Sequence, residues 1–291
     1  MPKTFITIGT FDGVHRGHKK LFTLLKYKAK RLGFSPLALV FQIPPKNILN
    51  NNLEQSVLIG LKQKKELLKN ITTVYLDFNK VKDLSADDFF DILINKYKMG
   101  AIIVGKDFAF GKNRQGNISF LREKCKQNNI ELFVIDFEEE DNSKISSSRL
   151  RAALKAGEIP SINKMLGRPF TLEGKVIYGN QFGRKIGFPT ANLDISKEQV
   201  LPRGVFSVFV YLDGKKYKGI CNIGLKPTVT INGIATVEVF IFDFNRDIYG
   251  KILRVEFLQK IRDEKKFDGL GELTKQINED CAIAQKILSK F

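Results

Sequence analysis

The chain has 291 residues, 43% hydrophobic and 27% charged, enough for two globular domains of about 150 residues each with cores of their own. Lys and Arg number 48 against 31 Asp and Glu, a net charge of +17, but residues 1–150 hold 25 basic against 16 acidic side chains and 151–291 hold 23 against 15, so the charge is evenly spread and no basic tail argues for nucleic acid. Cys125, Cys221 and Cys281 form no CxxC pair, and no apolar run approaches the roughly 18–20 residues of a membrane span, which excludes a disulfide framework, a cysteine zinc site and membrane insertion.

In chain order, 3–8 reads as a short β-strand, entered from Met1 without a signal-peptide pattern, so the expected location is the cytoplasm. A helix follows over 17–32, with Leu21, Leu24, Leu25 and Leu32 on one face. Strands are predicted at 37–41, 74–76, 101–104 and 132–135, and helices at 54–69, 85–98 and 117–128. Lys62, Lys64, Lys65 and Lys69 fall on the polar face predicted for 54–69, a basic surface that is either simply solvated or attractive to anionic substrates. Strand–helix alternation predicts a parallel sheet with helices on both faces, whose ligands bind beyond the carboxyl ends of the strands. Segments 146–157 and 159–166 read as a helical connector. After Gly167-Arg168-Pro169 come short strands at 170–176, 205–212, 217–223, 236–242 and 253–258, the pattern of an antiparallel sheet closed into a barrel. A last amphipathic helix carries Leu270, Leu273, Ile277, Ala284 and Ile287 on one face. The expected domains are 1–155 and 167–291, joined by 156–166.

The segment Gly9-Thr10-Phe11-Asp12-Gly13-Val14-His15-Arg16-Gly17-His18 lies where the first strand ends and the first helix begins. Gly9, Gly13 and Gly17 allow close approach of backbone to a ligand, and the helix start offers N–H groups and a positive dipole end to phosphate. Both histidines of the chain are here, three residues apart, able to share one face of the first helical turn. Such a site can stabilise the charge that builds on ATP during nucleotidyl transfer without a covalent intermediate. Neither a P-loop nor a dinucleotide-binding glycine pattern competes with this reading.

The same segment resembles the HxGH signature of the nucleotidylyltransferase superfamily, and Phe11-Asp12-Gly13-Val14 resembles bacterial FAD synthetases in particular. Two further segments are similar to that family: Asp107, Phe108 and Phe110 in a flavin-side loop, and Ser146, Ser147 and Ser148 with Arg149 and Arg151, whose hydroxyls and guanidinium groups suit phosphate. Taken alone, the serine run is an ordinary helix N-cap. The chain departs from the family at Gln42-Ile43-Pro44-Pro45, where an Asp-Pro-His-Pro-like turn is common.

In the second half, Gly183, Arg184, Lys185 and Gly187 precede Phe188-Pro189-Thr190-Ala191-Asn192. The glycines and basic pair could wrap phosphates, and Thr190 and Asn192 would face one way on an extended backbone as ligands of Mg²⁺. Glu238 is the one charged residue within the apolar run 234–242, so it either points to solvent or has a task. The run Pro189-Thr190-Ala191-Asn192 closely resembles the Pro-Thr-Ala-Asn motif of riboflavin kinases, followed in order by Asn222, Gly224, Pro227 and Thr228, then Glu238, Tyr249 and Gly250, then Arg262 and Phe267. That resemblance implies a six-stranded barrel in which Glu238 is the base acting on riboflavin and Arg262 and Phe267 line the flavin site. Phe240 stands where the family often has His.

The likeness covers about residues 3–285 and implies an N-terminal Rossmann-like nucleotidyltransferase and a C-terminal barrel of riboflavin kinase type. The implied reactions are phosphorylation of riboflavin to FMN and adenylylation of FMN to FAD, with ATP and Mg²⁺ and with no nucleic acid or membrane partner. Gly9, Phe11, Asp12, Gly13 and Gly17 would bind nucleotide, and His15 and His18 would be catalytic. Two other readings stay open: an FMN adenylyltransferase whose barrel only binds flavin, and a basic nucleic-acid-binding protein.

Overall fold

The apolar runs of the first half pair into one parallel sheet because each is short, apolar and flanked by helical segments that cover it. The computed structural model describes residues 2–50, 57–179, 182–225 and 235–291, with Phe182, Lys185 and Leu225 described in backbone only. Pro227, Thr228 and Ile234 therefore lie outside the described residues. The chain divides into two units, Met1–Ser147 and Ser148–Phe291.

In the first unit β1 (Thr4–Gly9), α1 (Arg16–Leu32), β2 (Ser35–Phe41), α2 (Pro45–Leu49), α3 (Leu61–Leu67), β3 (Thr72–Leu76), α4 (Ala86–Asn95), β4 (Met99–Gly105), α5 (Ile118–Gln127) and β5 (Glu131–Ile135) follow in order. A two-residue hairpin, β6 (Glu139–Glu140) with β7 (Ser143–Lys144), closes the unit. The sheet order is β3-β2-β1-β4-β5, all parallel. Alternation along the strands divides the core. Ile6, Ile8, Leu39, Ile102 and Val104 pack with Phe89, Phe90 and Leu93 of α4 and with Leu121 and Cys125 of α5. α1 packs against β1 and β2 through its buried stripe of Leu21, Phe22, Leu25 and Ala29. Gly33, at φ 68°, ends α1 in the left-handed conformation and returns its N–H to the last turn.

In the second unit α6 (Ser147–Ala156), which begins on the last residue of the first, and α7 (Ile159–Leu166) lead to β8 (Phe170–Ile177), α8 (Phe182–Lys185), β9 (Thr190–Asp194), β10 (Gly204–Leu212), β11 (Lys215–Leu225), β12 (Ala235–Ile241), β13 (Ile252–Arg262) and α9 (Leu270–Leu288). The six strands close into an antiparallel barrel in the order β10-β11-β12-β9-β8-β13. On β12 the parity is plain: Val237, Val239 and Ile241 are buried in the wall's inner face, and Glu238 and Phe240 turn outward. Outside the wall, Val205, Phe209, Ile220 and Phe242 pack against Ala284 and Leu288 of α9.

Three expectations need correction. Helix 54–69 is shorter: residues 54–56 lie outside the described residues, and α3 begins only at Leu61, because Gly60 is extended and Leu58 donates its N–H to Asp12. Lys64 is not on a solvated face. It is 1% exposed, aligned with buried Leu68 one turn on, whereas Lys62, Lys65 and Lys69 are exposed. The buried stripe of α9 runs through Asp280, Ala284 and Leu288, and Leu270 at the helix start is exposed.

Candidate active sites

Strand order changes direction between β1 and β4, so the loops leaving these neighbours open a crevice at the carboxyl edge of the sheet. The loop after β1 turns tightly there. Phe11 (φ 48°), Gly13 (φ 79°) and Val14 (φ 42°) are all left-handed, an outlying conformation for a β-branched residue such as Val14 and one that surrounding contacts must hold. Those contacts are on hand. Both carboxylate oxygens of buried Asp12 accept the N–H of Leu58, at 2.9 and 3.1 Å. The carbonyl of Asp12 accepts Ser147 Oγ at 3.1 Å, and the Lys64 ammonium donates to the carbonyls of Thr10 (3.1 Å) and Gln42 (2.9 Å).

His15 caps α1 and is buried, and His18 lies in the first turn. Their rings stack at 3.6 Å between centroids and 20° between planes, with Phe11 edge-on to His18 at 5.2 Å. The glycines serve this arrangement. A Cβ on Gly17 would sit 3.3 Å from the His15 ring, and one on Gly9 would sit 3.0 Å from the Phe11 ring. The expectation that they clear room for a ligand thus takes a different form at Gly9 and Gly17, which clear room for the rings, while Gly13 supplies positive φ. Lys19 N donates to His15 O at 3.0 Å, so α1 starts at this loop and turns the positive end of its dipole toward it. Arg16 is turned aside, paired with Glu140 and, at 3.2 Å, with Glu138, which also takes Lys20 at 3.0 Å.

Ser146, Ser148, Arg149 and Arg151 flank Ser147 at the start of α6. After β4, Asp107 is exposed and paired with Lys144 at 2.6 Å. Phe108 stacks on Phe110 at 5.6 Å, and Phe110 packs against Phe89 and Phe120 and over Gly116. These aromatics are half-buried and lean on the core behind the crevice.

In the second unit a cavity of about 330 Å³ lies outside the barrel wall and under α9. Strand register brings its polar floor together: Asn192 pairs with Glu238 and Glu238 with Asn222, one row across β9, β12 and β11, and Thr190 pairs with Phe240 one step along. Glu238 therefore faces neither the barrel core nor open solvent, but this cavity. Its charge, after burial, pushes the neighbouring Cys221 thiol up. Gly183 lines the cavity and lies so close to Phe188 and Thr190 that a Cβ would be 2.2 Å from the Phe188 carbonyl. At Gly179 a Cβ would be 2.3 Å from the Asn192 carboxamide. Arg184 and Gly187 are in the same turn but not among the cavity's lining residues, and the Lys185 side chain lies outside the described residues.

Phe188 meets Phe240 edge-on at 5.4 Å, and Phe267 and Arg262 form part of the wall. Arg262 does not reach out freely. Its Nε donates to both oxygens of Asp280 (2.9 and 3.0 Å) and its Nη2 to Oδ2 (2.8 Å), and its guanidinium lies 5.6 Å from the Phe267 ring centre. Asp280, 1% exposed, escaped the sequence reading, although a carboxylate in line with Ile277, Ala284 and Leu288 was a signal. Lys64 escaped it too, its charge hiding its apolar register. Thr190, Asn192, Asn222 and Glu238 present hard oxygen atoms on one face, a donor set suited to Mg²⁺ bound together with phosphate.

Comparison with known proteins divides the chain in the same way. A family model described as FAD synthetase matches residues 1–149, and one described as riboflavin kinase matches 166–288. A protein of Buchnera aphidicola subsp. Acyrthosiphon pisum, named bifunctional riboflavin kinase/FMN adenylyltransferase, is 36% identical over 97% of this chain and 92% of its own. One of the same name from Bacillus subtilis is 35% identical over 99% and 94%. A crystal structure from Streptococcus pneumoniae, described as a macrolide-efflux protein, shares the fold at a TM-score of 0.87 with 32% identity, covering 98% of this chain and 95% of that one. Among the described residues no helix is long and apolar enough to cross a membrane.

Proposed function

The chain belongs to the bifunctional riboflavin kinase/FMN adenylyltransferase family and carries both activities, and we propose that the β1–α1 turn adenylylates FMN while the cavity under α9 phosphorylates riboflavin. The domain limits read from sequence, 1–155 and 167–291 with the connector 156–166, are kept as part of this proposal.

At the first site a phosphate oxygen of FMN attacks the α-phosphorus of ATP, and pyrophosphate leaves with the electrons of the broken bond. His15 and His18 donate hydrogen bonds to the oxygens on which negative charge grows, and the start of α1 adds its dipole. Gly9, Phe11 and Gly13 shape this turn, Asp12 anchors it through Leu58, and Gly17 seats His15. Ser146, Ser147, Ser148, Arg149 and Arg151 serve the triphosphate, and Asp107, Phe108 and Phe110 the flavin side.

At the second site Glu238 takes the proton from the riboflavin 5′-hydroxyl as its oxygen attacks the γ-phosphorus of ATP, releasing ADP. Thr190 and Asn192 would hold Mg²⁺, which neutralises phosphate charge when bound, and the turn with Gly183, Arg184, Lys185 and Gly187 would wrap the phosphates. Arg262 and Phe267 border the flavin. The observation that carries the assignment is the Asn192–Glu238–Asn222 row, which places a carboxylate beside the expected metal-binding oxygens on the floor of a cavity.

The test is a product assay on the intact chain with riboflavin, ATP and Mg²⁺, where FMN appears before FAD. His18→Ala stops the sequence at FMN. Glu238→Gln slows the first step at least about a hundredfold and leaves FMN-to-FAD conversion intact. FAD formation near the wild-type rate in the first variant, or a loss under about threefold in the second, removes the residue from its role.

A further inference from the structure

We propose that Lys64 is a positioning residue for FMN adenylylation, whose buried ammonium group ties the loop after β1 to the loop after β2 and so sets the seat of the ATP triphosphate. The inference rests on the placement of ATP at the β1–α1 turn.

A fully buried ammonium is costly unless its surroundings compensate it. Lys64 is 1% exposed, and two carbonyls, each just past the end of a neighbouring strand, contribute to its compensation. Thr10 is one residue past the end of β1, and Gln42 one residue past the end of β2. The β1–β2 pairing ends with Gly9 opposite Val40, so both carbonyls lie beyond its last rung. Lys64 Nζ donates to each, at 3.1 and 2.9 Å. The ammonium thus acts as an added rung, bridging the two strands where their loops part.

The rung bears directly on the catalytic loop. Thr10 is followed by Phe11, Gly13 and Val14 in left-handed conformations and then by His15. A strained loop keeps such geometry only while fixed from several sides. Lys64 holds its start, Asp12 with Leu58 its middle, and Ser147 the carbonyl of Asp12. Residues 57–64 supply two of the three anchors, although the sequence marks none of them as part of a site. The same geometry gives Gln42 a role through its main-chain carbonyl, so the side chains of Gln42-Ile43-Pro44-Pro45 need not reproduce the turn common in the family.

Lys64→Met keeps the stem and removes the donors. In FAD formation by the intact chain, KM for ATP is expected to rise at least tenfold while KM for FMN changes less than twofold. KM for ATP in FMN formation stays unchanged, because that reaction belongs to the other unit. A purely structural lysine would lower the folded fraction, and with it the apparent kcat, but leave every KM alone. An unchanged KM for ATP therefore overturns the proposal. Should the first unit of Lys64→Met fail to fold, judged by hydrogen exchange of β1 and β4, Lys64→Gln carries the same test. If neither variant folds, the lysine is structural and the proposal fails. His18→Ala is run in parallel. If it retains FAD synthesis, the placement of ATP is wrong; if it loses FAD synthesis while the Lys64 variants keep their KM, only the role of Lys64 is wrong.

Discussion

Replacing Asp280 by Asn tests what holds the wall of the cavity under α9. The change keeps the shape of the side chain and removes its charge. In the native chain the carboxylate, 1% exposed, accepts three hydrogen bonds from Arg262 and one from Gln276 at 3.2 Å. Breaking a fully buried ion pair costs about 3–5 kcal/mol. Arg262 keeps part of its hydration, with a side-chain exposure of 21%, and has a second acceptor in the carbonyl of Asp263 at 2.9 Å. The expected loss is therefore lower, about 2–3 kcal/mol, since solvent screens what it reaches. For a unit of this size that lowers Tm by roughly 5–10 °C. Calorimetry on the intact chain would show one transition moving and the other staying. Arg262→Met and the double variant complete a cycle, with a coupling energy of about 1.5 kcal/mol or more expected from a pair in direct contact. Since Arg262 and Phe267 border the cavity, KM for riboflavin should rise, with FAD formation from supplied FMN unaffected. A destabilisation below about 0.5 kcal/mol together with zero coupling would refute the view that this pair pins α9 to β13.

Gly17→Ala should favour α1 by its helix propensity, yet its Cβ presses on the His15 ring at 3.3 Å, so FAD formation should fall at least about tenfold at undiminished Tm, a misplacement effect; an unaltered rate would show that His15 has room to move. Thr7 Oγ1 is buried in β1 and has no hydrogen-bond partner among the described residues, so Thr7→Val should stabilise the first unit by about 1 kcal/mol in a denaturant titration, and a loss of stability would reveal a hidden partner. The hydrogen bond and charge of Lys20, then those of Arg16, hold Glu138 below the usual carboxylate range, so the tie between α1 and the β6–β7 hairpin is present above that range and lost as pH falls through the lowered value. A carboxyl NMR titration of Glu138 should show a midpoint below about 4.3, rising toward it in Lys20→Ala, and an ordinary midpoint in the native chain would argue against the tie.

The sequence was informative wherever a residue's task is local. Alternation of short apolar runs with helical stripes located every strand of the parallel sheet, since period and flanking turns depend on near neighbours. The histidine pair was legible because His15 and His18 are one helical turn apart at a glycine-flanked strand end, and their stacking follows from that spacing. On β12, Glu238 announced itself as a charge in an apolar run. Leu58, Lys64 and Asp280 were not legible as site residues, because their partners are far along the chain. Lys64 sits among other lysines and looks solvated until its ammonium is seen to reach the carbonyls just after β1 and β2.

By itself the amino-acid order determined the five strands of the parallel sheet, five of the six barrel strands, the glycine-flanked histidine turn and the chemical types grouped at each candidate site, all consequences of interactions between residues a few positions apart. Tertiary structure alone decided that Asn192, Glu238 and Asn222 form one row, that α9 covers the face they share, and that a buried lysine closes the ladder beside the histidine loop. The physical reason is that strand register and burial are set by pairing and packing between distant segments, and a local pattern carries no record of which distant segment will arrive.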